Sequence, residues 1–147
     1  MLTISFTRPA FTLEEARSLV GERFRLDGHV TELPSERDQN FQIATARGER
    51  FVLKIAQADE QRPILDLQHR ALERLADRAP DLAVPRVVRA TDGAELLRVA
   101  GPGSAEHFVR LLAWVPGRVL AEVTPHSSAL LRSLGAMLGT LDRGLEG

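Results

Sequence analysis

The hexapeptide Phe51-Val52-Leu53-Lys54-Ile55-Ala56 decides how this chain is read. Bulky apolar residues broken once by a lysine describe a short, largely buried β-strand carrying a single charge. Lys54 is the only lysine among 147 residues, and every other residue in the Lys+Arg count of 19 is arginine. Guanidinium is a planar donor fork, whereas ammonium is a compact point charge on a flexible stem. On these residues alone two readings stand open. Either Lys54 is retained by chance and its ammonium snorkels to the strand end, or it is placed where water is scarce because an anion meets it there.

Moving outward from Lys54, the turn Arg47-Gly48-Glu49 makes Phe41–Thr45 its hairpin partner. A polar hexapeptide, Ser35-Glu36-Arg37-Asp38-Gln39-Asn40, links that strand back to His29–Leu33, which Pro34 stops. Thr12 and Glu15 fit a capping box, and Leu13, Ala16, Leu19, Val20 and Phe24 recur at helical spacing over residues 12–25. After the Lys54 strand, Pro63 opens a helix that Pro80 ends, with Ile64, Leu67, Ala71, Leu72, Leu75 and Ala79 as its apolar face. Gln68 falls inside that stripe, and a buried amide needs a partner. Arg86–Ala90 reads as a strand, and Glu95–Val99 pairs with His107–Trp114 across the turn Gly101-Pro102-Gly103-Ser104. From Pro125 a last helix presents Leu130, Leu131, Leu134, Met137, Leu138 and Leu141 on one side. Sequential strands joined by short turns predict an α+β fold, an antiparallel sheet of about five strands with flanking helices.

Composition narrows the function classes. A net charge of -1 gives no general attraction to nucleic acid or to an anionic membrane, and 5% aromatic content supplies no base-stacking surface. Zero cysteines exclude disulfides and thiolate metal sites and fit a cytoplasmic location. Residues 1–12 do not read as a secretory signal, and no apolar run approaches the ~20 residues that span a bilayer. The four histidines share no ligand spacing, and each reads as a surface or edge residue. Neither a Gly-x-Ser-x-Gly elbow nor a Walker-type Gly-Lys-Ser/Thr motif is present. One combination survives: a polar turn between two strands, a lysine on the third, and a helix directly afterwards.

The runs Leu33–Phe41, Phe51–Ile55 and Leu67–Leu72, followed by Val109–Gly117, resemble the aminoglycoside phosphotransferase and choline kinase superfamily, within it the hydroxylysine-kinase-like branch. That resemblance implies the small lobe of a protein-kinase-like fold. Residues 1–115 would form the nucleotide-binding lobe, 116–125 a hinge, and 126–147 the first helix of a large lobe. Lys54 would bind the α- and β-phosphates under a turn formed by Ser35, Arg37, Gln39 and Asn40. Gln68 stands where related kinases carry glutamate and would orient Lys54. Backbone groups of Ala113, Trp114 and Val115 would meet adenine, with Leu112 or Trp114 in apolar contact, although Trp114 serves equally well as a core anchor. The partners implied are ATP or GTP with Mg²⁺ and a small amine or amino-alcohol acceptor. The resemblance places catalytic base and metal ligands in the second lobe, and none of the four histidines is followed two residues later by aspartate. This chain is therefore expected to be inactive alone and to expose an apolar helix, 126–143, through which copies associate. The rival expectation is a non-enzymatic α+β binding or dimerisation module.

Overall fold

Thr12 starts the first helix as the sequence requires. Its hydroxyl accepts from the Glu15 N–H at 3.1 Å and the Glu15 carboxylate accepts from the Thr12 N–H at 2.7 Å, so the capping box is complete. In the computed structural model residues 8–146 are described; part of the expectation about residues 1–12 thus lies outside the described residues. Helix α1 (Leu13–Phe24) ends at Arg25 in the left-handed region. Strands β1 (Gly28–Leu33), β2 (Gln39–Thr45) and β3 (Arg50–Ile55) follow as an antiparallel meander. Gly28 is obligatory where β1 starts, because a side chain there would come within 2.5 Å of the Ala44 carbonyl oxygen.

Helix α2 (Arg62–Arg78) crosses to a short strand β4 (Val87–Val88), then β5 (Leu97–Ala100) and β6 (Glu106–Ala113). The sheet has six strands among the described residues, in the order β1-β2-β3-β6-β4, with β5 also on β6. β4 and β5 share one edge of β6, pairing with Leu111–Leu112 and with Glu106–Val109 respectively. The two hairpins and the pairing across Gly101–Ser104 are where the sequence put them. Arg86–Ala90 shortens to the two paired residues of β4.

Period-two alternation separates the sheet into two unlike faces. On one, Phe41, Ile43, Leu53, Ile55, Val109 and Leu111 are fully buried and pack on Ala16, Leu19, Val20 and Phe24 of α1. Leu13, read as part of α1's apolar stripe, is half exposed instead. The opposite face carries Asn40, Lys54 and Arg110 in register across β2, β3 and β6.

α2 turns differently from its predicted stripe. Leu65, His69, Leu75 and the C-cap Ala79 are buried, whereas Ile64 and Leu67 are 46% and 62% exposed. His69 and His107 are both buried, correcting their reading as surface residues. His107 Nδ1 lies 2.9 Å from the Ala56 carbonyl oxygen, and its ring meets Phe11 edge-on at 5.7 Å.

Beyond β6 the chain passes a single 3₁₀ turn, Leu120–Glu122, to α3 (Ser128–Leu145), capped by Ser127. α3 packs on α2 through Gly144, where a side chain would come within 2.7 Å of Leu75. Arg74 and Arg78 donate to the Gly144 and Glu146 carbonyls, closing the C-terminal end of α3. Leu131, Met137 and Leu138 on its outer side remain exposed. No helix among the described residues is long and apolar enough to cross a membrane.

Candidate functional site

Lys54 emerges on the face of β3 away from the α1 core. Its Nζ donates to Asn40 Oδ1 at 3.1 Å, across a directly opposed pair of the β2–β3 ladder. Asn40 in turn donates from Nδ2 to Ser35 Oγ at 3.2 Å, which ties the β1–β2 turn to the lysine. The turn is braced from below by Gln57: its N–H donates to Asp38 Oδ1 at 3.3 Å, and its Oε1 accepts from Arg37 Nε at 3.3 Å. Ser35, Glu36, Arg37, Asp38, Asn40, Lys54 and Glu60 together line an open cleft of about 250 Å³.

Burial lowers the Lys54 pKa from its ordinary value; Asp38 acts against that shift, and the Arg110 charge adds to it. Arg110 stands opposite Lys54 on β6, is 7% exposed, and donates from Nη2 to Gln68 Oε1 at 2.6 Å. Burial also lowers its pKa, opposed by Asp38 and Glu60. Neither cation forms a salt bridge with a carboxylate among the described residues. Two desolvated cations therefore sit side by side, each held by a neutral amide oxygen. Buried charge ordinarily has a counter-charge. The chemistry this arrangement offers is binding of an oxyanion at the cleft floor.

Of the residues singled out by sequence, Ser35, Arg37, Asn40 and Lys54 converge here. Gln39 does not. It is buried on the α1 face, where its amide accepts from the Phe11 N–H at 2.8 Å and donates to Phe11 O at 2.9 Å and Glu32 Oε1 at 3.1 Å. Neighbouring strand residues point to opposite faces, so Gln39 and Asn40 could never share the cleft. Gln68 is beside the site, but its hydrogen bond goes to Arg110 rather than to Lys54.

At the far end of β6, the Ala113 N–H donates to Arg86 O at 2.8 Å and the Trp114 N–H to Arg50 O at 3.0 Å. The Arg50 guanidinium lies 5.3 Å from the Trp114 ring centroid. Leu112 is buried, and Ala113, Trp114 and Val115 are half-buried.

Asn40 as the holder of Lys54, together with Arg110, Gln57 and Glu60, went unassigned in the sequence. For Arg110 the signal was present: Phe108-Val109-Arg110-Leu111-Leu112 is a second apolar run broken by one cation, the same pattern that marked Lys54. Among the described residues no group of three or more His, Cys, Asp or Glu side chains is arranged to hold a metal ion.

An antiparallel sheet with a cation on its third strand, a polar turn beside it and flanking helices makes an α+β, kinase-like fold. Two solved structures share it: an amicoumacin kinase in complex with AMP-PNP, Ca²⁺ and Ami (TM-score 0.75, 15% identity, 91% of this chain and 40% of that one), and a microcompartment-associated aminopropanol kinase (TM-score 0.67, 18% identity, 90% and 40%). The chain belongs to the phosphotransferase enzyme family, whose model matches residues 29–145. It is similar to hydroxylysine kinase of Mus musculus, at 32% identity over 95% of this chain, and of Danio rerio, at 30% over 92%. The chain spans about 40% of the length of these relatives.

Proposed function

We propose that this chain is the nucleotide-binding lobe of a small-molecule kinase that transfers phosphate from ATP or GTP to a hydroxyl of an amine or amino-alcohol, in the cytoplasm. The observation that carries the reading is Lys54, held at the cleft floor by Asn40, in no ion pair among the described residues, and lining one cleft with the Ser35–Asp38 turn. Its ammonium would neutralise phosphate oxygens, while Ser35 and the N–H groups of the turn cover them. At the other end of the sheet the N–H groups of Ala113 and Trp114 are committed to carbonyls of the chain itself. The donor to the base then falls to Val115, with Leu112 and Trp114 beside the ring. Mg²⁺ would arrive with the nucleotide and take its protein ligands from outside residues 8–146, as would the catalytic base. The likeness to hydroxylysine kinases supports this acceptor class. Residues 1–115 act as the lobe, 116–125 as the hinge and 126–147 as the start of the second lobe in this reading.

The test is phosphate transfer by the full-length protein to hydroxylysine, choline and an aminoglycoside. Lys54→Met should cut turnover about 10²-fold or more, because it removes a charge from the phosphate clamp in a site of low dielectric. Turnover within a few-fold of wild type would end the assignment.

A further inference from the structure

Arg110 has no part in the function proposed above, yet it is the most buried cation on the cleft side of the sheet. It sits directly across the ladder from Lys54 with 7% of its surface exposed. Its hydrogen bond, 2.6 Å to Gln68 Oε1, is to an uncharged acceptor on an exposed residue of α2. A carboxylate at that position would offset the guanidinium charge through a charge-assisted bond; an amide positions the guanidinium without supplying an opposing charge. The carboxylates of the cleft wall form no ion pair with it among the described residues. Asp38 spends one oxygen on the Gln57 N–H, and Glu60 one on the Gln61 N–H, and both act on Arg110 only through space. Glu36 is exposed.

We infer that the floor of this cleft's anion site is built on two cations, Lys54 at the cleft and Arg110 behind it, beneath the Arg37 of the turn, with Gln68 holding Arg110 through a neutral amide so that its charge stays available to a polyphosphate. Arg110 is thus a positioning residue acting through the field it adds at the Lys54 ammonium. Two adjacent like charges disfavour each other, and an anion of matching charge relieves both. A ligand with several phosphate charges is favoured over one with a single phosphate, and the preference belongs to the pair of cations together. The inference rests on the nucleotide-lobe reading, but the two can fail separately.

The experiment is isothermal titration of the 147-residue chain with inorganic tripolyphosphate, pyrophosphate and phosphate, with thermal unfolding run alongside to monitor the fold. Wild type should bind in that order of decreasing affinity. Gln68→Glu, a change on an exposed residue, should weaken tripolyphosphate about tenfold, as expected for one charge withdrawn from the site, and should flatten the order among the three anions. A residue with a merely structural role would not alter that order. Arg110→Lys should keep the wild-type order, and Arg110→Met should lose it even where its unfolding temperature is unchanged. If Lys54→Met abolishes binding while Gln68→Glu binds as wild type or tighter, Lys54 alone makes the site and Arg110 is overturned. If neither variant changes affinity, or wild type binds none of the three anions, both the two-cation site and the reading beneath it are overturned.

Discussion

The two faces of the central strands differ by one residue of register and by everything else. Facing α1, Phe41, Leu53 and Leu111 lie side by side across β2, β3 and β6, each with no exposed surface. One position further along each strand, and pointing the other way, stand Asn40, Lys54 and Arg110. The same backbone ladder carries a dry core and a charged floor because side chains alternate with period two. The first row supplies hydrophobic stabilisation. The second row places two cations where desolvation lowers both of their pKa values, which works against folding. The contrast teaches where stability resides and where it was traded for a binding surface.

The largest effect should come from the dry row. Phe41→Ala removes a fully buried ring between α1 and the sheet and is expected to cost about 3–5 kcal/mol, read as a lower urea midpoint. A loss under about 1 kcal/mol would mean that this face is not the core of the lobe. The next effect compares two neighbours. Gln39→Ala leaves the Phe11 N–H and carbonyl unpaired inside the protein and should cost about 1–3 kcal/mol with no change in anion affinity. Asn40→Ala, on the cleft face, should cost less than about 1 kcal/mol yet weaken polyphosphate binding, because Lys54 loses the hydrogen bond that holds it. Equal stability losses with equal binding would erase the distinction between the faces.

The α1 capping box, the two hairpins and the lysine strand could be read from local signals, since each depends on residues close together in sequence. α2 could not be read in the same way. Treating His69 as polar rotated the inferred stripe onto Ile64 and Leu67, whereas the buried side runs through Leu65, His69 and Leu75. Imidazole is amphipathic, and only its surroundings decide whether it counts as core. Gln39 escapes a local reading for another reason: the polar hexapeptide reads as turn throughout, although its last two residues already belong to β2 and obey strand alternation. The partner of Gln68 was illegible because it depends on Arg110, forty-two residues away and across the sheet. Cross-strand register has no local signature, so Lys54 with Asn40 and Arg110 with Gln68 emerge only once the ladder is fixed.

The smallest expected effect is a pH slope from the helix that covers the charged floor. His69 is 3% exposed, its Nε2 has no hydrogen-bond partner among the described residues, and its Nδ1 is 3.9 Å from Glu95 Oε2. Burial pushes its pKa below the ordinary 6.5; Arg110 acts in the same direction, while Asp66 and Glu73 oppose. A depressed histidine pKa means that the unfolded chain takes up the proton first as the pH falls. Stability is therefore full above the unfolded value of about 6.5 and declines as the pH drops from there toward the folded value, with a slope of at most one proton. Glu95, raised by burial and by Glu73, works oppositely: the folded form protonates first, which offsets part of the loss at the acid end. Urea unfolding from about pH 8 down to about pH 5.5 should show the decline in wild type, with onset near the ordinary histidine pKa. His69→Leu discards an unsatisfied nitrogen and the titrating group together, so its stability should stay flat across the upper part of that range. A variant that keeps the wild-type slope would move the titration to another group and leave His69 as plain packing beneath α2.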